Sequence, residues 1–123
     1  MDKIVTFDPA RSMINIDRDF TISTSEIKPG PPESFGGLNI GIATLEQDPP
    51  HAGEVHLDGD ELLYIISGSV RITSDSNPGQ SLELGAGDAC IIEKGEWHKL
   101  HILEKTQLMH ITPGPNNNHR EIG

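Results

Sequence analysis

The chain has 123 residues, of which nine are basic and nineteen are acidic, so its formal net charge at pH 7 is −10. This length suits one domain that buries its own core, and its negative surface repels phosphate backbones, so we expect no nucleic acid partner. The longest apolar run, at residues 62–66, has the length of a strand, so we expect no membrane partner either.

The cellular compartment is indicated by two features. The single cysteine, Cys90, excludes an internal disulfide framework and is typical of a reducing compartment. The amino terminus lacks a basic stretch followed by an apolar one, so we expect no secretory signal. Together these features predict a cytoplasmic protein.

Residues 1–34 are thinly apolar, with short alternating stretches at residues 13–16 and 20–22. We interpret them as an N-terminal arm of one or two edge strands, which a partner subunit exchanges in an expected homodimer. The proline-rich stretch 28–32 predicts a turn or rigid linker between this arm and the rest of the chain, because proline removes backbone donors.

From residue 35 to residue 113, short apolar stretches alternate with turn signals. The predicted strands span residues 38–45, 55–57, 61–67, 69–74, 81–84, 89–92, 98–103 and 107–112. Asp58, Gly59 and Asp60 predict a hairpin turn between the second and third of these strands. Many short strands without helical periodicity indicate an all-β sandwich or barrel. The tail, residues 114–123, has no pattern and is expected to be loose or lightly docked.

Two groups of regularly spaced residues suggest a metal site. Glu54 and His56 are two positions apart, so an extended strand points both side chains to one face. Imidazole and carboxylate groups on one face are what a divalent metal ion needs. A second segment offers another imidazole, His98, just after a turn at Gly95.

These segments resemble the two motifs of the cupin family. In the first motif a histidine is followed, after four intervening residues, by a glutamate and, after six more, by a glycine; the second motif has two glycines and a histidine. The matching residues here are His56, Glu61, Gly68, Gly87, Gly95 and His98. The resemblance covers roughly residues 35–113 and implies a double-stranded β-helix, also described as a jelly-roll barrel. It does not imply one reaction, because this barrel hosts many chemistries.

Three positions depart from the family pattern. Glu54 stands where the first motif usually has another histidine, Glu93 replaces the proline of the second motif, and Ile102 replaces an asparagine sometimes found after the last histidine. The second and third changes affect turn and wall positions. The first change affects the metal ligands themselves.

The resemblance implies metal ligands at His56, Glu61 and His98, and strand parity adds Glu54. An unpaired carboxylate facing an apolar barrel is costly, whereas a cation compensates it. Glu54 can instead act as an acid or base beside the metal, or point away from it. Two neutral histidines and two carboxylates around a divalent ion sum to zero charge, and the extra oxygen ligand favours manganese or iron, with zinc or nickel possible.

Two further histidines are candidates for proton transfer. His51 is a rival for the missing imidazole, but it has the wrong parity relative to His56 and follows two prolines, so we place it in the mouth of the barrel. His110 lies in a strand whose two faces both carry apolar residues, and we predict that it lines the pocket as a proton relay or substrate contact.

The sequence therefore predicts a metal-dependent cupin enzyme that acts on a small, oxygen-rich metabolite bound to the metal through two oxygens. Oxygenase, isomerase and lyase reactions all remain open. The alternatives are a non-catalytic module that binds or senses a small molecule, and a storage or structural protein in which metal only joins the strands. The retention of a competent ligand at Glu54 favours the enzyme.

Overall fold

The computed structural model describes residues 3–29 and 35–122, so residues 30–32 of the predicted linker lie outside the described part. The described residues form strands and turns only, which confirms the all-β prediction. They include no helix of the length and apolar character needed to cross a membrane. The strands are β1 (Ser12–Ile16), β2 (Ile22–Glu26), β3 (Leu38–Leu45), β4 (Gly53–His56), β5 (Glu61–Ser74), β6 (Leu82–Gly85), β7 (Ala89–Ile92), β8 (His98–Pro113) and β9 (Asn117–Arg120).

Two long antiparallel strands, β5 and β8, organise the sheet. The edge of β8 that faces away from β5 pairs with two strands. The start of β8 pairs with β4, and the last eight residues of β8 pair with β3. The edge of β5 that faces away from β8 pairs with β7 along the first half of β5 and with β6 along the second half. The sheet curls around its apolar face, and eight side chains form the core there: Leu63, Ile65, Val70, Ile72, Leu84, Ile92, Leu100 and Leu108.

Strand β5 contains a bulge at Gly68, where the sequence predicted a break between two strands. Before Gly68 the buried residues have odd numbers, as in Leu63 and Ile65, and after it they have even numbers, as in Val70 and Ile72. Register shifts in the pairing with β8 lie at the same place. An irregularity of this kind reverses which side chains face inward, so both halves of β5 stay directed at the core.

The second predicted break, between residues 103 and 107, is also wrong, because β8 runs through it without interruption. The charged residues Glu104 and Lys105 are exposed there, which gives the segment the composition of a turn. Thr106 nevertheless is fully buried, and its hydroxyl group donates to the backbone oxygen of Glu104 at 2.8 Å. The strand therefore passes over the bulge of β5 instead of ending there.

The N-terminal arm pairs with the remainder of the same chain. Strand β1 lies between β2 and β3. The second stretch of the arm forms a strand only from Ile22, because Phe20 has a φ of 68° and lies in the turn between β1 and β2. The homodimer stays a prediction.

The strands that pair with β4 differ from those that the sequence predicted. Residues 58–60 do not form a hairpin turn, because β4 pairs with β8 and β9 instead of β5. Of the two states expected for the tail, docked describes residues 117–120, which form β9 and pair with β4 in register. Backbone hydrogen bonds from Ala52 to Arg120 (2.8 Å) and from Leu57 to Asn116 (3.1 Å) flank this pairing.

Candidate metal centre

Four side chains from three strands converge inside the curled sheet. Glu54, His56, Glu61 and His98 each place one potential ligand atom so that all four atoms lie within 4.8 Å of one another. The exposed fraction of the side chain is 35% for Glu54 and 6% or less for the other three residues. The structure therefore brings together the four residues that the sequence predicted as ligands, with one accessible edge at Glu54.

The strand pairing explains this convergence. Glu54 and His56 lie on the same face of β4, and Glu54 stands directly opposite His98 of β8. Glu61 begins β5 and belongs to its inward-facing set. The turn before His98 is fixed to β4, because the backbone N–H of Gly95 donates to the carbonyl oxygen of His56 at 2.9 Å.

The short distances in the cluster join imidazole nitrogens to carboxylate oxygens. The Nε2 atom of His98 lies 3.3 Å from Oε1 of Glu54 and 3.3 Å from Oε1 of Glu61. The Nε2 atom of His56 lies 3.1 Å from Oε2 of Glu61. Both imidazole rings therefore present Nε2 to the same pair of carboxylates.

The other nitrogen of each ring is held by an oxygen acceptor outside the cluster. The Nδ1–H group of His98 donates to the backbone oxygen of Glu96 at 3.0 Å, and that of His56 donates to Oδ1 of Asn117 at 2.8 Å. A hydrogen bond at Nδ1 leaves the lone pair of a neutral imidazole on Nε2, where a metal ion binds.

Two buried atoms of the cluster lack an aligned hydrogen bond within the described residues, namely Nε2 of His56 and Oε1 of Glu61. Their neighbours are close enough, but the directions do not suit a hydrogen bond. Leaving a buried polar atom unpaired costs free energy, and a divalent cation bonded to both atoms removes that cost. The donor set, with two imidazoles and two carboxylates, fits such an ion.

In the protein alone, the carboxylates favour protonated imidazoles. Burial lowers the pKa of His98, but the close carboxylates of Glu54 and Glu61 outweigh this effect and raise the pKa to about 10. Burial also lowers the pKa of His56, but the carboxylate of Glu61 outweighs this effect, so the pKa is raised. Burial raises the pKa of Glu61, but the close imidazoles of His56 and His98 hold this pKa well below its usual range. A metal ion displaces protons from such ligands when it binds.

The family profile described as "Cupin domain" matches residues 43–112, which is more than half of the chain. The chain is a cupin. This match confirms the resemblance of the two sequence motifs, and it contains all four clustered residues.

Solved structures support the same fold. A cupin-2 domain protein from Shewanella frigidimarina is 25% identical to this cupin, with 66% of this chain and 74% of that chain covered and a TM-score of 0.55. A protein with a double-stranded β-helix domain from Klebsiella pneumoniae is 20% identical over 78% of this chain and 91% of that chain, with a TM-score of 0.57. The Fe(II) form of HppE, solved with its substrate, is 17% identical over 62% of this chain and 45% of that chain, with a TM-score of 0.50. No curated protein matches this cupin.

His110 contacts the cluster through a threonine. Its Nδ1–H group donates to Oγ1 of Thr112 at 2.8 Å, and the Thr112 hydroxyl group donates to Oε2 of Glu61 at 2.6 Å. Burial lowers the pKa of His110, although the charges of Glu61 and Glu54 oppose that shift. The ring packs against Gly41, where a Cβ atom would lie 2.5 Å from Nε2 of His110.

His51 lies beside the accessible edge of the cluster. Its Nε2 atom is 3.6 Å from Oε2 of Glu54, so the residue is close to the site without belonging to the four-atom cluster. The ring of His119 on β9 lies 6.0 Å from that of His51. His119 also stands opposite Glu54 in the register of β4 and β9. The rings of His51 and His119 therefore lie near each other on this side of the cluster.

His98 also lines a cavity of about 690 Å³. Ile72 and Ile92 supply apolar walls, and Ser74 and Lys94 supply polar groups. A cavity of this size accommodates a small organic molecule.

Three residues near the cluster were not predicted from the sequence, namely Thr112, Asn117 and His119. Thr112 is recognisable from parity, because it lies two residues after His110 on the same face of a predicted strand. Asn117 and His119 gave no comparable signal. They belong to a segment without apolar alternation, and only its pairing with β4 brings them to the site.

Proposed function

We propose that this cupin is a metal-dependent enzyme that acts on a small, oxygen-rich metabolite, which binds the metal ion through two of its oxygens. Glu54, His56, Glu61 and His98 hold the ion. The observation that carries this proposal is the convergence of four ligand atoms within 4.8 Å, two of which are buried without an aligned hydrogen bond among the described residues.

The ligand set favours manganese or iron. Two neutral imidazoles and two carboxylates cancel the charge of a divalent ion, and the second carboxylate adds an oxygen ligand, which manganese and iron accept more readily than copper does. The solved Fe(II) form of HppE is a protein of similar fold that carries one of these ions. Ions of this kind prefer six ligands, so four side chains leave room for substrate oxygens.

A divalent ion in this site supplies a Lewis acid that polarises a carbonyl or enediol group, or it activates oxygen. The protein supplies the surroundings of that chemistry. Glu61 and both histidine ligands are almost completely shielded from solvent, so charges in the site interact strongly. Glu54 is the most exposed of the four ligands, and the imidazole of His51 lies 3.6 Å from it.

We assign proton transfer to His51 and a supporting role to His110. The imidazole of His51 is beside the accessible edge, within reach of a molecule bound next to Glu54. His110 is connected to Glu61 through the hydroxyl group of Thr112, so it orients the carboxylate and buffers the charge on it. Neither role requires the cavity beside His98, which is free to hold the remainder of the substrate.

Elemental analysis is the experiment that tests this proposal. The wild type, Glu54→Ala and the control Glu104→Ala, in which an exposed glutamate of β8 is changed, are purified without chelator and without nickel affinity resin. We expect about one manganese or iron per chain in the wild type and the control, and a large loss in Glu54→Ala. Turnover is then sought among small hydroxy acids, keto acids and enediols, with and without oxygen.

Wild-type protein that takes up no metal after incubation with Mn²⁺ and Fe²⁺ would overturn the enzyme proposal. The non-catalytic binding module then becomes the better description, and ligand screening by thermal shift replaces the search for turnover.

A further inference from the structure

The C-terminal strand β9 is the outer neighbour of β4, on the edge away from β8. Asn117 stands directly opposite His56, and His119 stands directly opposite Glu54. Residues that are directly opposite in an antiparallel pair extend to the same face. Strand β9 therefore directs two side chains to the face of β4 that carries the metal ligands.

Asn117 makes a hydrogen bond to His56, the proposed metal ligand opposite it. Its Oδ1 atom accepts a hydrogen bond from Nδ1–H of His56 at 2.8 Å. This bond fixes the rotation of the ring and keeps the proton on Nδ1. The opposite nitrogen, Nε2, is the buried atom that lacks an aligned hydrogen bond among the described residues.

The strand is attached to the domain on both sides of Asn117. On one side, Asp58 accepts hydrogen bonds from the backbone N–H and the side-chain amide of Asn116, at 2.6 and 2.8 Å. On the other side, the guanidinium group of Arg120 pairs with Asp75 and lies 4.2 Å from the centre of the Trp97 ring. These attachments hold Asn117 in place independently of His56.

We propose that Asn117 is a positioning residue of the metal centre, and that it holds His56 as the Nδ1–H tautomer with Nε2 directed at the ion. This inference rests on the proposed function, because it assumes that the four-residue cluster binds a metal. The two histidine ligands differ in this respect. His98 is held by the backbone oxygen of Glu96, two residues before it, whereas His56 depends on a side chain 61 residues away.

The test compares Asn117→Leu, which removes the acceptor, with Asn117→Asp, which keeps an oxygen in its place. The matched control is Asn118→Leu, because Asn118 is exposed and opposite Val55, and thus faces away from His56. Mn²⁺ affinity is measured by competition with a chelator. We expect Asn117→Leu to bind Mn²⁺ about 10- to 100-fold more weakly, and Asn117→Asp and Asn118→Leu to bind it as the wild type does.

A second measurement does not need the metal. Nitrogen-15 NMR of the metal-free protein detects the proton on Nδ1 of His56 and its exchange with water. We expect slow exchange in the wild type, Asn117→Asp and Asn118→Leu, and fast exchange in Asn117→Leu. If Asn117→Leu folds poorly, Asn117→Ala removes the same acceptor without adding apolar surface, and the same results are expected of it.

The outcomes separate this inference from the proposed function. Equal Mn²⁺ affinity in Asn117→Leu and Asn118→Leu overturns the inference and leaves the proposed function intact. Wild-type protein that binds neither Mn²⁺ nor Fe²⁺ overturns both, even where the Nδ1 proton is protected, because the hydrogen bond is then structural only.

Discussion

Glu54 and His98 are directly opposite each other on β4 and β8, and the Oε1 atom of Glu54 lies 3.3 Å from Nε2 of His98. The two residues are 44 positions apart in the chain. Because they form one cross-strand pair, the sheet itself fixes their separation. Substitutions at either position should therefore change the proposed ligand set with little effect on the backbone.

Replacement of His98 by alanine is expected to remove most of the bound metal. It eliminates the nitrogen that faces both carboxylates, and the stabilisation that metal binding gives to the folded state is lost with it. The measurements are metal content and the melting temperature with and without added Mn²⁺. His101→Ala, three residues further along β8, is the control and should retain both. Unchanged metal content in His98→Ala would contradict the proposed ligand set.

Replacement of Glu54 by histidine is expected to shift metal preference. The variant exchanges an oxygen ligand for an imidazole and leaves one positive charge on the site, so nickel or copper should gain relative to manganese. Competition between the metals, followed by elemental analysis, measures the shift. A Glu54→His variant with the metal preference of the wild type would indicate that Glu54 does not bind the ion.

His51→Ala distinguishes a ligand from a neighbour of the site. His51 lies 3.6 Å from Glu54 but outside the four-atom cluster, so we expect its removal to leave metal content unchanged. We expect turnover to fall by about 100-fold, a typical contribution of a positioned general acid or base. Loss of metal in His51→Ala would place the imidazole among the ligands and would overturn the assignment of proton transfer.

Two glycines with similar backbone angles provide a test of the bulge in β5. Gly68 has a φ of 88° and Gly79 a φ of 83°. A Cβ atom on Gly68 would lie 2.2 Å from the backbone oxygen of Lys105, whereas nothing lies within 4 Å of one on Gly79. Gly79→Ala should reduce the free energy of unfolding by about 1–2 kcal/mol, and Gly68→Ala by more. Equal losses in urea unfolding would contradict the close approach of β8 to the bulge.

Much of the site was predictable because the spacing of its residues along the sequence follows the two-residue period of a strand. Glu54 and His56 share a face by parity, and the cupin motifs placed Glu61 and His98 relative to them. The surrounding connections were not predictable in the same way. The pairing of Glu54 with His98 links residues from distant parts of the chain, and local spacing carries no information about such contacts.

The errors in the fold have a common cause. At Gly68 and at residues 104–106 the local composition resembles a turn, yet long-range pairing between β5 and β8 keeps both segments extended. The tail has no apolar alternation because all of β9 is exposed, and it is ordered instead by its hydrogen bonds to β4. Tertiary contacts override local preference at each of these places.

The metal-free protein should lose stability as the pH rises from 6.5 to 10. The pKa of His98 is raised from 6.5 to about 10, so its contribution is complete below 6.5 and disappears as the pH approaches 10. The pKa of Glu61 is lowered from 4.5, so its contribution is complete above 4.5 and disappears at lower pH. The contributions of His98 and Glu61 are therefore both complete between pH 4.5 and 6.5, and urea unfolding of the metal-free protein should show their loss on either side of that window.

Mn²⁺ should reverse this trend, because the ion competes with protons for the same nitrogen and oxygen atoms. Its affinity should rise with pH, so the increase in melting temperature caused by Mn²⁺ should grow between pH 6.5 and 8, where the folded protein still holds on His98 the proton that the ion must displace. The control is His98→Gln, which lacks the titrating group and should show a weaker dependence on pH without metal. Wild-type stability that is constant from pH 6.5 to 10 in the absence of metal would mean that the carboxylates do not hold a proton on His98.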